Sequence, residues 1–75
     1  MEKLIKILEE IKPGVDFKAE ENLVENHILD SLSIVRLVGE LNDEFDIEIT
    51  PIDIIPENFK SVIAIKALIE KLEDE

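Results

Sequence analysis

The chain has 75 residues, 19 acidic and 8 basic, and a formal charge of −11; that is room for one small core, with a charge that repels nucleic-acid phosphates and anionic membranes. Without cysteine it has no disulfide framework and no thiolate metal site, so an unstapled domain of this size depends on helix packing. No apolar run approaches bilayer-spanning length, and Met1-Glu2-Lys3-Leu4-Ile5 does not open a secretory leader; a single-domain (residues 1–75), monomeric, cytoplasmic protein without membrane insertion is expected.

From Glu2 to Lys12, Leu4, Ile5, Leu8 and Ile11 recur at helical spacing with Ile7 widening the stripe, which predicts an amphipathic helix ended by Pro13-Gly14. Val15 to Leu29 has no sustained period, yet Val15, Phe17, Leu23, Val24, Ile28 and Leu29 are too apolar for a free linker. A long loop lying on the core is expected there. A second helix is expected over Ser31 to Phe45, with Val35, Val38, Leu41 and Phe45 inward, Leu37 flanking them, and Arg36 and Glu40 paired outside. Gly39, costly inside a helix, implies a close approach by a neighbouring helix or a docking partner.

Asp46 to Thr50 alternates like a strand but stands alone, so it reads as a loop with Ile47 and Ile49 packed down. Pro51 and Pro56 interrupt the chain, leaving one short helix either in Pro51–Ile55 or just after Pro56. Ser61 caps a last helix to about Leu72, with Val62, Ile65, Leu68, Ile69 and Leu72 as its stripe. Glu73-Asp74-Glu75 should fray, since acidic residues sit badly at a helix C-terminus.

Asp30 stands directly before the second helix, an N-cap signal that puts Ser31 at an exposed helix start. Unpaired backbone N–H groups and the positive end of the helix dipole there favour a phosphate attached to the hydroxyl. His27, Asp30 and Ser31 supply the residue types of a catalytic triad, but residues so close in sequence do not furnish a separate orienting group, oxyanion hole and pocket. No catalytic residue is assigned. Asn42-Asp43-Glu44-Phe45-Asp46 lacks the Asp-x-Asp-x-Asp-Gly spacing of a calcium loop, so no metal ligands are assigned either.

Leu29-Asp30-Ser31-Leu32, followed by Val35, Leu37, Val38 and Leu41, by Asp43-Glu44-Phe45-Asp46-Ile47-Glu48-Ile49, and by Pro56-Glu57-Asn58-Phe59-Lys60-Ser61-Val62, resembles the acyl carrier protein family from Leu23 onward. The resemblance implies an all-α fold, a small four-helix bundle of three main helices and one short helix with a long first loop. It implies 4'-phosphopantetheine, transferred from coenzyme A by a phosphopantetheinyl transferase to Ser31, with Asp30 capping the helix and presenting Ser31 to that enzyme. An acyl group held as a thioester on the arm would then be offered to loading and transferring enzymes; the chemistry belongs to the arm, and the protein is a carrier.

Leu32 and Ile34 are candidate partner contacts with core burial as their alternative, and Arg36, Glu40 and Asp43 complete the partner-facing set. His27 stands where the family commonly has glycine. Arg36 and Asn42 break the acidic second-helix face expected of fatty-acid synthesis, and partner choice follows charge. A carrier of a specialised pathway is therefore expected, with an aminoacyl, peptidyl or D-alanyl carrier as the second reading. An unmodified acidic helical adaptor is the reading from another class.

Overall fold

Leu4, Ile7 and Leu8 bury one stripe of the first amphipathic segment, giving helix α1 (Glu2–Ile11) in the computed structural model, which describes residues 2–74. Three more helices follow: α2 (Ser31–Phe45), α3 (Pro56–Phe59) and α4 (Val62–Glu73), with a 3-10 turn over Pro51–Asp53 between α2 and α3. The described residues contain no strand. The all-α bundle is the expected one: α1 packs on α2 and α4, α2 also meets α4, and α3 rests on α4.

Both expected sites for a short helix are used, because each proline supplies a preset φ at a helical first position. The first turn is tightened by Asp53, whose Oδ2 accepts from the Thr50 amide at 3.2 Å and the Thr50 hydroxyl at 3.0 Å. Asn58 adds a side-chain bond to the Asp53 carbonyl at 2.7 Å, which couples the turn to α3.

The long connection is held at three points, since Phe17, Leu23 and Leu29 are all buried in the common core. Gly14 leaves α1 at φ +89°, a conformation that side chains resist. The Leu23 carbonyl accepts from Ile28 and Leu29, each at 2.9 Å, and the Leu23 amide donates to Lys60 at 2.8 Å. The backbone polar groups of the buried Leu23 are thereby paired.

Several expectations need correction. Val35 is 66% exposed, while Leu37, expected at the flank, is fully buried. The inward set of α2 is Leu37 and Leu41 with Ile34, Val38 and Phe45 packed beside them, because α1 and α4 meet that side of the helix. Gly39 does not mark a close contact with a neighbouring helix: among the described residues nothing lies within 4 Å of where its Cβ would be. Arg36 and Glu40 form no ion pair; among the described residues the one salt bridge is Lys3 to Glu44 at 3.7 Å, between exposed side chains and of little energetic weight.

Helix ends follow local chemistry. Asp46 adopts φ 53° and closes α2, its amide bonding to the Asn42 carbonyl. Ser61 caps α4, accepting from Ala64 at 3.1 Å. The helix then holds through Glu73, with the Asp74 amide bonded to Glu70 at 3.2 Å, so the expected fraying does not reach Glu73. Glu75 lies outside the described residues.

Candidate functional site

Burial of Leu29 brings the end of the long connection onto the core, and Asp30 follows with extended backbone at φ −92° and ψ −178°. Its Oδ1 accepts from the Ser33 amide at 2.8 Å, and its carbonyl accepts from the Ile34 amide at 2.9 Å. These two bonds start α2 at Ser31, the geometry expected of an aspartate N-cap. The Ser33 amide, then the Ser33 hydroxyl, hold the Asp30 carboxyl below the usual aspartate range, with the charge of Lys12 adding to them.

Ser31 is exposed as the first residue of the helix, whereas Ser33 and Ser61 are half-buried. Ser61 also spends its hydroxyl oxygen on the cap of α4. The Asp30 carboxylate is taken up by Ser33, and among the described residues no hydrogen bond links it to His27 or Ser31, so the triad types do not assemble.

Leu32 is 83% exposed. Arg36 and Asp43, both exposed, and the half-buried Glu40 follow it at helical spacing along α2, and these three also border the cleft toward α1. Ile34 does not join them; it packs against the core beside Leu37. His27 is exposed and sits at φ 58°. Asn42, expected with Arg36 on the outward face of the second helix, is a correction: its Oδ1 accepts from the Ile49 amide at 2.9 Å, so it secures the chain leaving α2. No signal in the sequence pointed to this bond, which joins α2 to the segment seven residues on.

A family profile described as a phosphopantetheine attachment site matches residues 2–72. The chain belongs to this family. The match extends the likeness seen from Leu23 onward across α1 and the whole long connection. No curated protein and no solved structure gives a match. Proteins of this family carry 4'-phosphopantetheine bound covalently and work with a phosphopantetheinyl transferase and acyl-handling enzymes. Such carrier domains are generally non-catalytic.

The residues present fit that group. An exposed hydroxyl on the first turn of a fifteen-residue helix can take a phosphodiester without disturbing the core. His27 occupies left-handed backbone, which glycine enters without steric cost. No helix among the described residues is long and apolar enough to cross a membrane, and no group of three His, Asp or Glu there could hold a metal ion.

Proposed function

We propose that Ser31 carries the phosphopantetheine arm and that the protein is a cytoplasmic, monomeric acyl carrier, holding an acyl group as a thioester for presentation to partner enzymes. The observation that supports this most directly is the difference among the serines: Ser31 alone is exposed, at the start of α2 and beside the Asp30 cap. When bound, the arm supplies a terminal thiol that forms and releases thioesters.

In this reading the Ser31 oxygen attacks the phosphorus of coenzyme A that bears the pantetheine arm, the P–O bond to the other phosphate of the pyrophosphate breaks, adenosine 3',5'-bisphosphate leaves, and the serine proton passes to a base of the transferase. Asp30 contributes indirectly. By fixing the Ser33 amide it sets the first turn of α2, and so aims Ser31 outward. Leu32, Arg36, Glu40 and Asp43 then form the face offered to partners, where an exposed leucine gives apolar contact and the charges give selectivity. Arg36 among acids supports a pathway other than ordinary fatty-acid synthesis.

An acyl cargo also suits the core, which is built of branched aliphatics with Phe17 and Phe59; an aminoacyl cargo would meet the cost of burying an ammonium group there. The test is intact mass after incubation with coenzyme A and a broad-specificity transferase. One phosphopantetheine should add to the wild type, to Ser33→Ala and to Ser61→Ala, and none to Ser31→Ala, whose circular dichroism should be unchanged. Labelling of folded Ser31→Ala at the wild-type level would refute the assignment, and an unlabelled wild type would favour the adaptor.

A further inference from the structure

Ser31, Val35, Gly39 and Asp43 stand at successive four-residue intervals along α2, so they form one row that drifts slowly round the helix. Val35 is 66% exposed, and the space above Gly39 is open to at least 4 Å. Val35, Gly39 and Asp43 also line a cleft of about 710 Å³ between α1 and α2, faced from α1 by Lys3, Lys6 and Glu10. The row therefore starts at Ser31 and runs into the cleft. Gly39 lies about 12 Å along the axis from Ser31, at 1.5 Å per residue.

We infer that this α1–α2 cleft is the resting seat of the phosphopantetheine arm, which leaves Ser31, crosses Val35 and lies over Gly39. The inference rests on Ser31 being the attachment point. The chemistry of the arm matches the sequence of surfaces: its branched, methyl-bearing part comes first and meets Val35, an apolar side chain left 66% exposed. Its hydroxyl and two amides follow, and the charged walls of the cleft offer them Arg36, Glu40, Lys6 and Glu10 as donors and acceptors. Gly39 lowers helix stability relative to alanine, and no packing contact of the protein uses the space it leaves. The Lys3–Glu44 pair joins the two helices near the cleft's far end.

A volume of this size is within the range of small-ligand sites. The cleft is open and its lining largely charged, so it suits the polar arm and not an apolar acyl chain, and seating there is reversible. The arm can then leave for a partner enzyme without any unfolding.

The experiment compares amide NMR spectra of the unmodified and modified protein after intact mass has shown complete addition. The seat predicts shifts at Val35 and Gly39 and, across the cleft, at Lys6 and Glu10, together with cross-relaxation between the arm's methyl groups and Val35. Gly39→Gln, which fills the open space with a good helix former, should still be modified yet lose the Lys6 and Glu10 shifts. Complete modification with shifts confined to residues 30–33, or appearing instead on α3 and α4, would overturn the seat. Failure of the mass addition itself would overturn the Ser31 reading, and the seat with it.

Discussion

Leu23 donates its backbone N–H to the carbonyl of Lys60 at 2.8 Å, joining the middle of the long connection to the turn between α3 and α4. Its side chain is fully buried in the same place, so the connection is part of the core. Leu23→Ala removes packing and leaves a cavity, and should cost about 2–5 kcal/mol, a large share of the roughly 5–15 kcal/mol that holds a small domain folded. Leu32→Ala, at an 83% exposed position, should change stability by no more than about 0.5 kcal/mol. Urea unfolding of the two variants checks the contrast, and comparable losses would contradict it.

The Asp30 carboxyl is held below the usual aspartate range, chiefly by the Ser33 amide. A carboxyl depressed on folding contributes stability above its unfolded value and loses it as pH falls through the folded value. The chemical shift of the Ser33 amide proton should therefore follow the Asp30 carboxyl, with a midpoint below the usual aspartate range, and the first turn of α2 should loosen as that midpoint is passed. Asp30→Asn keeps a cap but should abolish this titration. A Ser33 shift unaffected by pH in the wild type would remove the cap from the account.

Asn42 Oδ1 accepts the Ile49 amide at 2.9 Å, next to the buried Ile49 side chain. Asn42→Leu leaves that donor without its partner and should cost about 1–3 kcal/mol. Asn42→Asp retains an acceptor and should recover most of the loss. Hydrogen exchange at the Ile49 amide should rise in the first variant and stay near wild type in the second; equal protection in all three proteins would show that the bond is not needed.

A formal charge of −11 with a single ion pair among the described residues leaves most acidic groups facing one another across solvent. Screening should raise the melting temperature between low and physiological ionic strength. Millimolar magnesium or calcium should act in the same direction without a defined stoichiometry. A melting temperature that stays flat over that range would argue against self-repulsion.

The sequence by itself carried the features that depend on bonds a few residues long. The Asp30 cap, the Ser61 cap, the span of α2 and the breaks at Pro51 and Pro56 all follow from hydrogen bonds and dihedral limits within one turn, and the residues around Ser31 already placed the chain near its family. Tertiary structure decided which way each helix is turned and what the loops hold. Val35 and Leu37 are both apolar, and only the positions of α1 and α4 bury one and expose the other. The frame starting at Ile34, with Leu37, Val38, Leu41 and Phe45, was present in the sequence but competed with one starting at Val35. The openness over Gly39, the Asn42–Ile49 bond and the pairing of Leu23 with Lys60 were out of reach for the same reason: each joins or separates groups from different elements, whose approach is fixed by packing of the whole core and not by local propensity.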